Sequence, residues 1–265
     1  MQKKKIIVSM ILSASLICGT VALPIKVNAA NTENMYVVDR ISAKGSLVGT
    51  GSYTYDKNGL VQQIIPNNAP TETFTYEKGL LTKISDGYSD TVMRYDSKKR
   101  MKSLSANGGT VRYTYNSDNL VSKSISKTNY TGYVNKNTMK YSYDDDGNVT
   151  KTTRDNGTAQ VVTAYTYDKK GNFTGSKCET ENYKLSYTCK NSYDSKGRLV
   201  KRVVKDSYKQ KKAPSGVVAG RSATNYTEKI TYRQIKVPKS KVAAVKEQQY
   251  ALLNDESPKV TAWYH

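Results

Sequence analysis

Histidine is all but missing from this chain: the single one, His265, is the last residue. A Ser-His or Cys-His nucleophile therefore has no internal base to draw on, and an imidazole metal site has no ligand. The chain has no Gly-x-x-x-x-Gly-Lys loop for phosphates and no Gly-x-Ser-x-Gly elbow. The densest acidic group, Asp144-Asp145-Asp146, is not a calcium loop, because Ser142 and Gly147 do not complete an alternating ligand set. No catalytic, cofactor-binding or metal-binding residue is assigned. A carboxylate pair for glycoside cleavage is the one enzymatic alternative left, and no spacing singles one out. Beyond residue 23 no stretch is apolar enough to span a bilayer.

Acids are also in short supply, with 22 Asp and Glu against 42 Lys and Arg, for a net charge of +20. The first residues read as a secretory leader of the short bacterial kind. Lys3, Lys4 and Lys5 precede an apolar stretch, and Val27-Asn28-Ala29 offers small residues for cleavage after Ala29. Cys18 follows the bulky Ile17 and is not a lipoprotein site. Removing the leader, 1–29, takes away four lysines and no acid, which lowers the charge from +20 to +16. The expectation is an exported protein, secreted or loosely held at a cell wall. Its charge suits an anionic polymer or simply keeps β-structure soluble. A sequence-specific nucleic-acid ligand is not expected.

Tyrosine, by contrast, is plentiful, with 22 copies, and it is organised. The string Tyr53-Thr54-Tyr55-Asp56-Lys57-Asn58-Gly59-Leu60-Val61 returns in outline at Phe74-Thr75-Tyr76-Glu77, Met93-Arg94-Tyr95-Asp96 and Tyr113-Thr114-Tyr115-Asn116. It returns again at Tyr141-Ser142-Tyr143-Asp144, Tyr165-Thr166-Tyr167-Asp168 and Asn191-Ser192-Tyr193-Asp194, with a worn copy at Ile230-Thr231-Tyr232-Arg233. Such periodicity sets architecture before anything else. Asp-x-x-Gly is a type I turn with a left-handed fourth residue, the three-residue hairpin loop. Asn119 tolerates that geometry, while Lys99 in the same place predicts strain. The turn sets a register: Tyr55 faces Val61, Tyr95 Met101, Tyr115 Val121, Tyr143 Val149, Tyr167 Phe173 and Tyr193 Leu199. With one turn residue fewer, Tyr76 faces Leu81.

Extending the offset pairs Tyr53 with Gln63, Phe74 with Lys83, Tyr113 with Lys123 and Tyr141 with Lys151. Two readings of these margins stand. Tyr53, Phe74, Tyr113 and Tyr141 with Lys83, Lys123 and Lys151 form a row of rings and cations that holds a sugar or an acidic polymer. Otherwise the rings cover the core and lysine stems lie over them. The residue between the two aromatics is Thr54, Thr75, Thr114 or their like, so the other face is wet.

The chain divides into the leader, a β domain over 30–237 and a helix with tail over 238–265. The basic stretch 205–224, with Lys209, Lys211 and Lys212, breaks the pattern and reads as a mobile loop. A last strand is expected over 229–237. An amphipathic helix follows over 241–254, with Ser240 as N-cap and Trp263 and Tyr264 packed beneath. The fold class is mainly β: an antiparallel meander of hairpin repeats rolled into an open barrel or half-pipe, with the helix capping one side. A hairpin centred between Tyr183 and Lys184 sets Cys178 and Cys189 face to face as a disulfide candidate, with two free thiols as the alternative.

These units resemble YD repeats, the building blocks of the RHS family. The likeness rests on Tyr-Asp-x-x-Gly-x-aliphatic, as in Tyr193-Asp194-Ser195-Lys196-Gly197-Arg198-Leu199, and runs from about Gly51 to Val204. It implies a secreted or surface-exposed β-assembly; some members are linked to carbohydrate binding and cell contact, and large ones enclose a toxin in a spiral shell. This chain has too few strands for such a shell and no recognisable core-associated segment, so neither encapsulation nor catalytic residues carry over. The expected function is non-enzymatic binding of a surface polymer, a glycan or an anionic wall component. The alternative is a structural protein that docks another secreted or surface protein.

Overall fold

The computed structural model describes residues 31–130, 133–211 and 224–254. The leader, most of the basic stretch and the tail with Trp263 and Tyr264 lie outside the described residues. The first strands are β1 (Thr32–Gly45), β2 (Gly49–Tyr55), β3 (Val61–Pro66), β4 (Glu72–Glu77), β5 (Leu80–Ser85), β6 (Asp90–Tyr95), β7 (Met101–Ala106) and β8 (Gly109–Tyr115). They continue as β9 (Val121–Tyr130), β10 (Tyr133–Tyr143), β11 (Val149–Asp155), β12 (Gln160–Tyr167), β13 (Phe173–Glu179), β14 (Tyr183–Tyr193), β15 (Leu199–Gln210) and β16 (Asn225–Pro238). A short 3-10 turn, Lys239–Lys241, leads into helix α1 (Val242–Leu253).

Each Asp-x-x-Gly turn forms as its residues dictate. Asp56 N–H donates to Leu60 O (2.8 Å), Gly59 N–H donates to Asp56 O (3.0 Å), and the Asp56 carboxylate accepts the Asn58 and Leu60 N–H groups. Gly59 holds φ +80 there, a region only glycine enters freely. Lys99 is forced to φ 62, the strained turn expected from sequence. All seven tyrosine–apolar pairs fall in the expected register, from Tyr55–Val61 to Tyr193–Leu199.

The next pairs do not. Immediately after Val61 the strand carries an unpaired residue, Gln62, so Thr54 meets Gln63 and Tyr53 meets Ile64. The same bulge recurs in the other six hairpins. Phe74 therefore pairs with Ile84, Tyr113 with Ser124 and Tyr141 with Thr152, and not with Lys83, Lys123 and Lys151. A bulge inserts one residue and strengthens the twist, which curls the meander further than a half-pipe. The sheet closes: β1 and β16 pair from Thr32–Pro238 to Gly45–Tyr226, and every strand of the barrel has a neighbour on both sides over part of its length.

The bulge also dictates what lies inside. Inward positions fall three apart, at Val61 and Ile64, Leu81 and Ile84, Met101 and Leu104. These join Val38, Tyr53, Phe74, Met93, Leu199, Ile230 and Leu252 in one buried apolar cluster. Further round, the second inward position turns polar. The Ser124 hydroxyl meets the Tyr141 hydroxyl (3.0 Å), Thr152 meets Tyr165 (3.0 Å), and the Arg202 guanidinium donates to Glu228 (3.1 Å). A ladder of hydroxyls ties the hairpins together. Tyr55, Tyr76, Tyr95, Tyr115, Tyr143, Tyr167 and Tyr232 donate to the carbonyls of Val38, Val61, Leu81, Met101, Val121, Val149 and Leu199, at 2.5 to 3.1 Å. Tyr193 departs from the ladder and bonds Asp168, while Asn191 serves the Phe173 carbonyl (3.3 Å).

Helix α1 closes the end of the barrel that carries the tight Asp-x-x-Gly turns. Its fit is polar as well as apolar. Gln248 Oε1 accepts Val61 N–H (2.9 Å), Gln249 Oε1 accepts Val38 N–H (2.6 Å) and Asn254 Oδ1 accepts Phe173 N–H (2.8 Å). All three N–H groups sit at bulges, where the ladder leaves a donor free. Ser240 is not the N-cap: Lys241 occupies that position, without a side-chain cap. The last strand is longer than expected, and 205–210 belongs to β15 and not to a loop. Cys178 and Cys189 are buried and form no disulfide. The hairpin turns at Glu181-Asn182, with Thr180 N–H donating to Tyr183 O (2.9 Å). Cys178 consequently faces Leu185 and Cys189 faces Val204, and no bridge forms.

Candidate functional site

The wall of the barrel separates the residues that sequence put together. Tyr53 and Phe74 are buried in the core, and Tyr113 and Tyr141 are half-buried on the same inner side. Lys83, Lys123 and Lys151 lie opposite Thr75, Thr114 and Ser142, on the outer side. Lys83 holds Asp90 at 3.3 Å. The mixed ring-and-cation margin does not exist, because the bulge moves each lysine one position along and hence to the other face.

The outer wall from β9 to β16 is instead a field of cations. Lys123 stands directly opposite Lys140, Lys127 opposite Lys136, Lys184 opposite Lys209 and Lys201 opposite Lys229. Lys151, Lys177, Lys190 and Lys205 stand exposed between these pairs. Like charges directly opposite across strands destabilise a sheet. Only Lys184 of these pairs has an acidic partner among the described residues, Glu179 at 3.3 Å, and Glu179 also holds Lys211 at 2.6 Å. The other three pairs face water uncompensated.

Two arginines at the tight-turn end are already partnered. Arg100 bonds Asp96 (2.9 Å) and Asn119 (2.9 Å) and lies over the Tyr115 ring at 4.4 Å. Arg198 bonds Asp194 (2.7 Å) and lies between Tyr36 (4.3 Å) and Tyr232 (5.1 Å). A recess of about 620 Å³ lies here, lined by Tyr95, Asp96, Arg100, Lys102, Tyr113 and Tyr115. Lys102 is the bulge residue of its hairpin.

Acid–base perturbation occurs at the surface and in the interior: at the surface, backbone N–H groups of Tyr88 and Ser89 hold the Asp86 carboxyl below the usual range, and Arg198 does the same for Asp194. Burial pushes the ladder phenols up, Tyr95 among them. Burial of Asp168 is outweighed by the bonds from Tyr193 and Asn191, which hold its carboxyl below the usual range. Glu72, turned inward beside Phe74, is pushed up to about 7 by burial and then by Asp86. These groups support the fold and do not converge on one reacting centre.

No family model and no curated protein matches this chain. Solved structures do. A porin-like protein from Bacteroides uniformis superposes with a TM-score of 0.51 at 11% identity, over 74% of this chain and 98% of that one. The two are similar in fold, that of a closed antiparallel β-barrel. TcdB2-TccC3-TEV overlaps loosely, with a TM-score of 0.32 at 16% identity, over 61% of this chain and 9% of that one. The polarity of the present barrel is the reverse of a transmembrane one, whose lipid face is apolar. Here the outward rows carry Thr75, Thr114, Ser142, Thr166 and lysines. Among the described residues no helix is long and apolar enough to cross a membrane.

The uncompensated pairs escaped sequence reasoning. Lys123, Lys151 and Lys201 all lie two residues after the first inward apolar residue, Val121, Val149 and Leu199. That constant offset was the available signal, and it needed the bulge to be read as outward.

Proposed function

We propose that this chain is an exported, non-enzymatic YD-repeat barrel that holds an anionic surface polymer against its outer wall. The observation that carries the reading is the set of directly opposed, unneutralised lysine pairs, Lys123–Lys140, Lys127–Lys136 and Lys201–Lys229. Such pairs lower the stability of the sheet and gain a partner only when an anion bridges them. Polar outward rows keep the wall wet, so recognition is by charge and not by ring stacking. The repeat string supports the family assignment, and the leader supports export.

The test is binding of polyphosphate and of heparin across a salt series. Affinity is expected to fall steeply with salt, as condensed counterions are no longer released at a gain. The quadruple variant Lys123→Gln, Lys140→Gln, Lys201→Gln and Lys229→Gln is expected to bind weakly and with a shallower salt slope. Wild-type protein that ignores both polymers at low salt, or a quadruple variant that binds as well as wild type, would overturn the proposal.

A further inference from the structure

The two ends of the barrel are unlike. The tight-turn end is closed by α1. The opposite end, formed by the wider turns, carries most of the exposed apolar side chains. Of the nine large ones exposed among the described residues, only Tyr36 lies at the tight-turn end, where Lys196 and Arg198 lie over its ring. Val92 and Val162 stand on the outer wall within their strands, and the other six stand on the wide turns or on the strand ends that run into them. Tyr88 is 87% exposed, Val48 61%, Tyr133 60%, Val134 59% and Tyr130 51%. Leaving such groups in water is unfavourable, and nothing in the repeat demands them there.

The β9–β10 hairpin concentrates this feature. Tyr130 and Tyr133 are directly opposed and stacked, with ring centroids 4.9 Å apart and planes 16° apart. Val134 is exposed beside them. Beyond Thr138–Asp155 the β11 partner stops, so β10 continues past it with one side unpaired. Three residues behind the tyrosines stands the Lys127–Lys136 pair, about 10 Å back along the strands. An aromatic tip with cations set back by that distance matches the interfacial zone of a bilayer, where tyrosine sits at headgroup level and lysine meets phosphate.

We infer that the wide-turn end docks end-on against an anionic lipid surface, with the Tyr130–Tyr133–Val134 tip in the interface and Lys127 and Lys136 on the headgroup phosphates. The apolar groups are spread around a rim and separated by polar turns such as Asp86-Gly87 and Asn156-Gly157. A protein partner needs a contiguous apolar core to its interface; a fluid lipid surface accommodates separate tips. Charge complementarity selects an anionic surface, since neither Lys127 nor Lys136 has an acidic partner among the described residues.

The experiment is co-sedimentation of the full mature chain with vesicles of phosphatidylcholine and phosphatidylglycerol, beside vesicles of phosphatidylcholine alone. Wild-type protein is expected to bind the mixed vesicles and to retain part of that binding at a salt concentration that releases polyphosphate. The variant Tyr130→Ser, Tyr133→Ser, Val134→Ser is expected to lose partitioning roughly tenfold or more, with thermal unfolding and polyphosphate binding unchanged. The quadruple wall variant, which leaves Lys127 and Lys136 in place, is expected to keep the salt-resistant fraction. Failure of the proposed wall function is thus separable from failure of this inference. Wild-type protein that does not sediment with mixed vesicles overturns the inference. So does a tip variant that binds them as wild type does, which would reduce the attraction to charge, and so does equal binding to neutral vesicles.

Discussion

The hydroxyl ladder gives the sharpest test of how this barrel holds together. Tyr95→Phe removes one oxygen and keeps the ring. That oxygen donates to the Leu81 carbonyl at 2.7 Å, and Leu81 is fully buried. The carbonyl lies at a bulge, where Leu81 pairs with Tyr76 and the following Thr82 pairs with nothing. No neighbouring strand stands ready to replace the donor. Loss of a buried hydrogen bond with one partner left unsatisfied costs about 1–3 kcal/mol. Tyr88→Phe provides the control, since Tyr88 is exposed and its side chain is outside the ladder. The assay is urea unfolding followed by tyrosine fluorescence and circular dichroism. The expected result is a lower midpoint with an unchanged slope, which reports stability and not a change in the unfolded chain. Tyr115→Phe, which frees the Met101 carbonyl, should lose a similar amount. A Tyr95→Phe variant no less stable than Tyr88→Phe would refute the idea that the hydroxyls, and not merely the rings, bind successive hairpins.

Four further outcomes follow from single sites. Glu72→Gln should raise stability near pH 8 and leave it unchanged near pH 4. The folded pKa of about 7 exceeds the ordinary 4.5, so wild type is fully stable only below the lower value and loses stability, about 1–3 kcal/mol, as pH rises through the window between them; equal effects at both pH values would contradict this. Lys99→Gly should raise stability by about 1 kcal/mol, because φ 62 is strained for lysine, and a higher calorimetric Tm is sufficient to check it. Gln248→Ala should cost about 2–3 kcal/mol by orphaning the Val61 N–H and removing a donor to the Tyr76 hydroxyl, read by chemical denaturation. Lys123→Gln with Lys140→Gln should stabilise the fold at low salt and lose that advantage at high salt, a crossover that thermal melts in two buffers would reveal.

Sequence reached the first pair of every hairpin and lost the second. Asp-x-x-Gly fixes the offset between Tyr55 and Val61 by local chemistry, so that register is readable wherever the turn is. The bulge residue is Gln62, Thr82, Lys102, Ser122, Thr150, Thr174 or Val200; four carry a hydroxyl that bonds back to the residue between the two aromatics, but Gln62, Lys102 and Val200 do not, so no one residue type marks the position. Its trace lay in the spacing of inward apolar residues by three, at Val61–Ile64, Leu81–Ile84 and Met101–Leu104, which breaks strand alternation. Closure was not readable because it rests on β1 meeting β16 across almost the whole chain. The cysteines were misplaced by a turn whose residues, Glu181-Asn182, carry no glycine or proline signal. The extent of α1 was readable; its attachment through Gln248, Gln249 and Asn254 was not, since these are ordinary surface residues until a bulge offers them a donor.

The bulge connects the interior to the proposed site. It presents a spare N–H to α1 and a spare carbonyl to the tyrosine ladder, and it turns the following lysine outward. Lys123 and Lys201 thus reach the wall for the same reason that Val121 and Leu199 reach the core. In a flat sheet such lysines would form a ragged edge; in a closed barrel they form a belt with strands about 4.8 Å apart. A sheet under selection for stability alone would alternate the signs of those charges, as Lys83 and Asp90 do on the far side. The directly opposed lysine pairs begin at β9, just where the second inward position turns from apolar to polar, at Ser124. The half of the barrel with the weaker apolar core therefore also carries the unneutralised wall, and its stability is the part most open to change when an anion arrives.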